Sequence, residues 1–453
     1  MPAKDKNWHF GVLSSAGTGH LNPLIALSQE LVSRGHRVTF FDKLKLKSRV
    51  VEAGLEFAPI AGKALNSHCR PVVEEGLWNE VAATCANLAR IRGELEEFLE
   101  NTPGAVRCAG VDALLVDEIS LSGPTIAQML RLPYFVISTS IPHQLGWRSS
   151  SWLTGYRYSS SCVSWLQGVF LELSVSRMRG PLRRWLDIYR RRLDLGPMRS
   201  IRKEYPWLAQ ITQLPRCLDL PRRSVPAALH YAGPFVRQKG RPDTAFPWDR
   251  LDGRPLIYAS LGTTRSLRPS VLRMIAEACC DLDAQLVISL GNRISVDSLA
   301  ELPGQPIVAE FAPQLQLLKL ARVVITHGGA NTVLETLLEG KPMVVIPLAY
   351  DQPAVAARVA RTGAGMVLPV MRISAGRIRN AIARVLTERR FCEASQEIQR
   401  KLRMIRGTEM AADLVETALE RFAMENEAQE RGHRSVIKPR RTADARAASY
   451  LPH

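Results

Sequence analysis

The sequence of 453 residues has no apolar run of the roughly 18 residues that a membrane-spanning helix requires. It also lacks the apolar core and small-residue cleavage site of a secretory signal peptide at its beginning. Its eight cysteines form no Cys-x-x-Cys pair, which argues against a disulfide framework and against a zinc site. We therefore expect reduced thiols and a cytoplasmic protein.

Two nucleotide-binding patterns are incomplete or absent. Gly17-Thr18-Gly19 follows an apolar stretch, but Asn22 stands where the dinucleotide fingerprint needs its third glycine, which disfavours a nicotinamide enzyme. No Asp-x-Asp pair is suited to hold a magnesium nucleotide. We therefore expect no metal and no further cofactor.

Acidic residues are outnumbered: 43 Asp and Glu stand against 60 Lys and Arg, for a net charge of +17. The excess is local, because residues 177–203 hold ten Arg or Lys and only two Asp. Local charge without a recognition motif disfavours nucleic acid as a partner. It favours peripheral contact of residues 177–203 with an anionic membrane, at the inner face. A solvated basic surface is the alternative.

What the sequence does contain is a repeated alternation of predicted strands and helices. This alternation predicts an α/β protein with two doubly wound, Rossmann-like domains whose parallel sheets face a shared ligand cleft. An aromatic, Arg-rich insert, expected to be helical, interrupts the first alternation, and an aperiodic polar tail follows the second. The predicted units are residues 1–235 with the insert at 144–212, residues 236–423, and a disordered basic tail at 424–453.

The stretch THGGANTVLETLLEGKP, residues 326–342, predicts an anion site. A strand ends at Thr326, two glycines turn the chain, and a helix begins near Asn331. The N–H groups and the dipole at that helix end suit a diphosphate. Glu335, one turn along the helix, can accept hydrogen bonds from ribose hydroxyls. A capped helix without a ligand is the alternative interpretation.

Two flanking stretches complete a nucleotide-sugar pattern. Phe311 ends the preceding strand and can stack on a base, while Asp351-Gln352 follows the next strand and can bind sugar hydroxyls. The order of these elements resembles the donor signature of the UDP-glycosyltransferase family, in particular its bacterial members of the zeaxanthin and macrolide glycosyltransferase types. GHLNP at 19–23 and SLGT at 260–263 resemble other elements of that family.

The resemblance implies the GT-B architecture and an inverting transfer of a hexose, glucose above all, from a UDP-sugar. Plant members usually have Trp in place of Phe311, so a dTDP-sugar stays open as the donor. The implied donor-binding residues are Gly262 and Thr263 bordering the phosphates, Phe311 on the base, Gln314 and Glu335 on ribose, His327, Gly329, Asn331 and Thr332 on the diphosphate, and Asp351 and Gln352 on the sugar.

His20 is the candidate general base, because an imidazole can take the proton of an attacking hydroxyl near neutral pH. We expect its position at a helix start to disfavour the charged ring. Asp117, at the end of a predicted strand, would orient the imidazole; Glu118 is the second choice and Asp112 precedes the strand. A capping role is the alternative for both His20 and Asp117.

The acceptor implied by this reading is a hydrophobic molecule with a hydroxyl group, such as a carotenoid, because the insert is rich in aromatic side chains. The helix end and His327 would neutralise the leaving diphosphate. Two other functions remain open: a nucleotide-sugar epimerase on the same fold, and a non-catalytic partner protein that binds a nucleotide sugar.

Overall fold

The computed structural model describes most of the two predicted domains and part of the insert. The described residues are 7–14, 17–60, 77–142, 180–197, 207–221, 225–239, 241, 244–262, 269–291, 295–299 and 301–436.

Two separate sheets, both with parallel strands only, form the framework. The first has seven strands in the order β3-β2-β1-β4-β5-β6-β7, and the second has six in the order β10-β9-β8-β11-β12-β13. In each sheet the order reverses direction beside a central strand, β1 or β8, which is where ligands bind in open α/β sheets. The strands are β1 His9–Leu13, β2 Arg37–Asp42, β3 Glu56–Pro59, β4 Ala113–Asp117, β5 Tyr134–Ser138, β6 Trp207–Thr212, β7 Leu229–Tyr231, β8 Leu256–Ser260, β9 Gln285–Ser289, β10 Ile307–Ala309, β11 Ala321–Thr326, β12 Met343–Val345 and β13 Gly365–Val367.

Helices cover both faces of each sheet, and none within the described residues is long and apolar enough to cross a bilayer. Short 3₁₀ turns connect several of these elements. The α-helices are α1 Thr18–Ser33, α2 Lys47–Glu52, α3 Leu77–Ala109, α4 Gly123–Leu130, α5 at 180–192, α6 Pro269–Cys279, α7 Gln314–Leu320, α8 Ala330–Leu338, α9 Gln352–Thr362, α10 Ala375–Thr387, α11 Arg389–Arg403 and α12 Gly407–Val436.

The predicted fold class is confirmed, but two boundaries differ. β6 belongs to the first sheet, although it lies inside the predicted insert 144–212; its buried residues Ala209 and Ile211 join the core around β1. α1 begins at Thr18, four residues earlier than its apolar periodicity suggests, because Gly17 provides the N-cap. Pro23 therefore lies inside the helix rather than in its first turn.

The C-terminal helix α12 leaves the second domain and packs on the first. Its buried residues Ala412 and Val415 join the core formed by α1 and β1, and Arg34 donates hydrogen bonds to Asp413 at 2.6 Å and Glu416 at 2.8 Å. The helix continues to Val436. The prediction of an irregular tail from residue 424 is therefore wrong for 424–436, because the amphipathic helix does not stop there; residues 437–453 lie outside the described part.

The described part of the insert confirms helix at 180–192. Arg190 is fully buried and donates to Thr125 Oγ1 at 3.0 Å and to the Gly196 carbonyl at 2.7 Å, which fixes α5 against α4. Trp185 and Tyr189 pack on the core beside α3. These two aromatics therefore hold the insert in place; Trp147, Trp152, Tyr156, Tyr158, Trp165 and Phe170 lie outside the described residues.

Candidate active site

The carboxyl ends of the two sheets meet where the first turns of α1 and α8 touch. Asn331 Nδ2 donates to the Gly19 carbonyl at 2.8 Å. That carbonyl lacks its own helical partner, because the residue four positions on is Pro23, which has no N–H. The proline in GHLNP thus leaves an acceptor in α1 for the second domain.

Two further contacts cross the cleft at the ends of β5 and β6. Gln213 Nε2 donates to Asn331 Oδ1 at 2.7 Å and also to the Thr139 carbonyl. Ser140 Oγ donates to Asp351 Oδ2. Both ends of the Asn331 side chain are therefore engaged by the first domain, in a position where the sequence predicts a diphosphate ligand.

His20 and Asp117 meet as predicted. His20 Nδ1 lies 3.0 Å from Asp117 Oδ2, and the aspartate is fully buried while 27% of the His20 side chain is exposed. Thr139 Oγ1 lies 2.7 Å from the same ring nitrogen. Nε2 has no hydrogen-bond partner among the described residues, so the free nitrogen of the ring is the one directed away from the carboxylate.

The charge environment of His20 differs from the expectation of a ring held neutral by a helix dipole. Burial is the largest single influence and lowers the pKa of His20, but Asp117 together with smaller contributions from Asp351 and Glu118 outweighs it, and the net pKa is raised above 6.5. The structure therefore favours a ring that accepts a proton readily, which suits a base.

The two alternative carboxylates have other partners. Glu118 Oε1 accepts a hydrogen bond from Gln210 Nε2 at 2.8 Å. Asp112 Oδ2 accepts from the backbone N–H of His9 at 2.7 Å, at the far end of β4. Of the three carboxylates, Asp117 is the one that lies within 3.0 Å of the His20 ring.

His327, directly after β11, is buried between two glycines. A Cβ added at Gly262 would lie 2.5 Å from its Nε2, and one added at Gly329 would lie 2.6 Å from it. Burial lowers the pKa of His327 to about 4. Without a ligand the ring is therefore neutral at pH 7 and can donate one hydrogen bond. Its role toward the diphosphate stays a prediction.

The N-terminus of α8 is open to an anion. Gly329 is the N-cap, and within the described part of the chain no side chain accepts a capping hydrogen bond at this helix end. Thr332 is buried in the first turn. Asn331 is not the N-cap that the capped-helix alternative assigns to it, because it lies inside the helix. Thr263 lies outside the described residues, beyond Gly262.

The two predicted ribose ligands bind each other. Gln314 Nε2 donates to Glu335 Oε2 at 2.5 Å, and Tyr258 OH donates to Gln314 Oε1 at 3.2 Å. Arg241, from the segment between the domains, donates to Glu335 Oε1. Phe311 is half-buried in the short connection between β10 and α7, which begins at Gln314.

The predicted sugar ligands follow β12. Asp351 faces the first domain through Ser140 and lies near both His20 and His327, since it raises the pKa of each. Gln352 points inward: its Oε1 accepts from the N–H groups of Leu348 at 2.8 Å and Ala349 at 2.9 Å. Only its amide N–H₂ group is left for a sugar.

Four residues of this site are absent from the sequence-based prediction: Thr139, Ser140, Gln213 and Arg241. Thr139 and Ser140 follow β5, which was recognised, so the rule that ligands collect at strand ends could have found them. Gln213 follows β6, which was not recognised. Arg241 carries no such signal. Among the described residues no group of three or more His, Cys, Asp and Glu side chains could hold a metal ion.

Two protein-family models match the chain, one in each domain. The N-terminal domain of glycosyltransferase family 28 matches residues 12–140. The C-terminal domain of the erythromycin biosynthesis protein CIII-like family matches residues 273–417. The two matches contain His20 and Asp117 on one side and the whole sequence from Phe311 to Gln352 on the other.

Similar proteins span nearly the whole chain. A zeaxanthin glucosyltransferase of Pantoea ananas is 29% identical over 429 residues, covering 91% of this chain and 96% of the relative. The crystal structure of the glycotransferase of kitacinnamycin has a TM-score of 0.66 at 25% identity, covering 91% of this chain and 99% of that one. The glycosyltransferase VinC, solved in complex with dTDP, has a TM-score of 0.64 at 20% identity, covering 91% and 99%.

Proposed function

Since this chain is a glycosyltransferase of the GT-B fold, with a family 28 N-terminal domain and an EryCIII-like C-terminal domain, we propose that it transfers glucose from UDP-glucose to a hydroxyl of a hydrophobic, carotenoid-like acceptor. The observation that carries the proposal is the His20–Asp117 pair, which faces the second domain at Asp351. An acid–base pair of this kind is what an attacking hydroxyl requires.

The first domain supplies the proton transfer. With Nδ1 directed at Asp117, the Nε2 lone pair accepts the acceptor's hydroxyl proton as its oxygen attacks the anomeric carbon. The buried carboxylate stabilises the imidazolium that forms. Thr139 holds the ring in this orientation from the end of β5.

The second domain supplies the donor site. As the new bond forms, the bond between the anomeric carbon and the diphosphate breaks, and negative charge develops on the leaving oxygen. The free N–H groups of α8 and one hydrogen bond from neutral His327 face that charge. Attack from the opposite face of the sugar inverts the anomeric configuration.

UDP and glucose are supported by the likeness to a protein named zeaxanthin glucosyltransferase. The dTDP bound to VinC keeps a thymidine donor as the competing outcome. Glu335 and Gln314 are the residues that would distinguish UDP from dTDP, because they can bind the ribose 2′-hydroxyl, which dTDP lacks.

A lipid-soluble acceptor needs access from a membrane, and α5 offers a basic, partly apolar face. Arg184, Arg191 and Arg192 are exposed, and Ile188 between them is 49% exposed. Basic residues around an apolar side chain suit the surface of an anionic membrane. We include peripheral membrane contact through α5 in the proposal.

The proposal is tested by product mass spectrometry. Purified protein is incubated with UDP-glucose or dTDP-glucose and a panel of hydroxylated hydrophobic acceptors, zeaxanthin among them, in anionic liposomes. We expect a hexose adduct on one acceptor with UDP-glucose and its loss in His20→Ala.

Matched controls separate the alternatives. His9→Ala removes a buried histidine at the opposite end of β1 and should leave the adduct intact. Donor binding without any adduct would remove the acceptor assignment, and interconversion of the sugar epimer without acceptor would identify an epimerase instead.

A further inference from the structure

Glu335, the carboxylate assigned to ribose, is covered. Its side chain has no exposed surface, Gln314 occupies Oε2, and the guanidinium of Arg241 occupies Oε1. A ribose hydroxyl cannot reach a carboxylate with no exposed surface. One of the two covering groups must therefore move when a nucleotide binds.

Arg241 is the group that can move. Gln314 is the first residue of α7, and its Oε1 accepts a hydrogen bond from the fully buried Tyr258, which holds it in place. Arg241 belongs to the segment between β7 and β8 that joins the domains, and 18% of its side chain is exposed. A buried carboxylate that loses its cation needs other hydrogen-bond donors, and two ribose hydroxyls supply them.

The linker keeps Arg241 within reach of the cleft. Four residues earlier, Arg237 pairs with Glu30 on α1, so the linker is attached to the first domain at that point. Four residues span at most about 13 Å of chain. The displaced guanidinium therefore stays beside the junction of α1 and α8.

A second cation, Arg49, lies near Arg241, which favours an anionic ligand at this place. Arg49 donates to Asn22 Oδ1 at 2.8 Å, and its Nε is buried with no hydrogen-bond partner among the described residues. Burial lowers the pKa of Arg49, and the nearby charge of Arg241 lowers it further. The two guanidinium groups repel each other beside the open N-terminus of α8. An anion bound between them would reduce this repulsion.

We propose that Arg241 is a donor-binding residue that holds Glu335 while the site is empty and moves to the donor diphosphate when the ribose hydroxyls take its place. This rests on the proposed function, because it assumes that a nucleotide diphosphate sugar binds at α8. Arg241 then exchanges one anionic partner for another, and Glu335 exchanges a cation for two hydroxyls.

The test compares uridine, which has the ribose hydroxyls without phosphate, with UDP. Affinities for both are measured by titration calorimetry on the full chain and on Arg241→Gln. Without the competing guanidinium, uridine should bind about fivefold more tightly. UDP loses a charge-assisted phosphate contact and should bind about tenfold more weakly.

The proposal requires that the affinities for uridine and UDP change in opposite directions, since a merely structural role of Arg241 would weaken the binding of both ligands. Arg241→Lys keeps the charge and should restore UDP binding to within about threefold of wild type. Lys239→Gln removes an exposed charge of the same linker, to which no role is assigned, and should change neither affinity.

Changes of equal sign for uridine and UDP, or no change, would overturn the inference while the proposed function stands. Failure of the wild-type protein to bind UDP would remove the proposed function itself. Thermal unfolding of each variant shows that the compared proteins are folded.

Discussion

The partnership of His20 and Asp117 sets the pH at which the protein can act as a base. The proposed general base works only when deprotonated, and the net pKa of His20 lies above 6.5 because Asp117, with smaller contributions from Asp351 and Glu118, outweighs burial. We therefore expect kcat/KM to fall toward acid, with its inflection above 6.5. A pH–rate profile with saturating donor measures this inflection.

Asp117→Asn tests the cause of that inflection. The carboxylate charge disappears, so the pKa of His20 should fall and the inflection should move to lower pH. The rate should also drop by about 10²–10⁴-fold, because the imidazolium is no longer stabilised. Glu118→Gln should give a much smaller shift; an inflection that stays in place in Asp117→Asn would contradict the pairing.

Pro23 makes a separate prediction about the carbonyl of Gly19. Pro23→Ala restores an N–H that competes with Asn331 for this carbonyl, and it removes an interior proline from α1. We expect stability to rise by about 1–2 kcal/mol while transfer slows. Chemical denaturation and product formation measure the two effects, and unchanged transfer would show that the contact does not position the domains.

At the scale of elements, periodicity and strand-end position predicted most of the framework. Apolar runs gave ten of the thirteen strands of the described residues, and the strand ends with the helices that follow them gave His20, Asp117 and Glu335. β6 was missed because its flanking insert is aromatic and basic, which hides a short buried strand. Arg241 could not be predicted, because its role depends on the path of the linker in space.

The exposed face of α5 predicts a salt-dependent membrane contact. Replacing Arg184, Arg191 and Arg192 by Gln removes three charges, each contributing about 1 kcal/mol near an anionic surface. Binding to phosphatidylserine-containing vesicles, measured by co-sedimentation, should fall about 100-fold at low salt. Activity on a water-soluble acceptor should not change.

The matched control removes the same charge from another exposed helix surface. Arg389, Arg400 and Arg403 are exposed on α11, and their replacement by Gln should leave vesicle binding intact. Equal loss in both triple variants would mean that the net charge of the protein, and not α5, attracts the vesicle.

At the scale of the whole molecule, the two domains are joined by a buried ion pair between α9 and the segment after β6. Arg358 Nη2 donates to Asp219 Oδ1 at 2.7 Å, and each side chain is 3% exposed. Tyr231 OH donates to the other oxygen of Asp219 at 2.5 Å. Ile141 and Leu214 of the first domain join the apolar core of the second beside this pair.

Because α9 begins at Gln352, directly after Asp351, we expect this ion pair to hold the proposed sugar ligands of the second domain at a fixed position relative to His20. Asp219→Asn leaves the Arg358 guanidinium buried without its counter-charge, at a cost of about 3–5 kcal/mol. The transition temperature and the transfer rate should both fall. UDP affinity, measured by calorimetry below that transition, should stay within about twofold, since the residues proposed to bind the nucleotide lie on other elements of the second domain.

Asp252→Asn, which removes an exposed pair with Arg254, should change none of the three quantities. An Asp219→Asn protein that transfers at the wild-type rate would show that the donor and acceptor domains find their catalytic arrangement without this contact, through the cleft contacts of Asn331 and Asp351 alone.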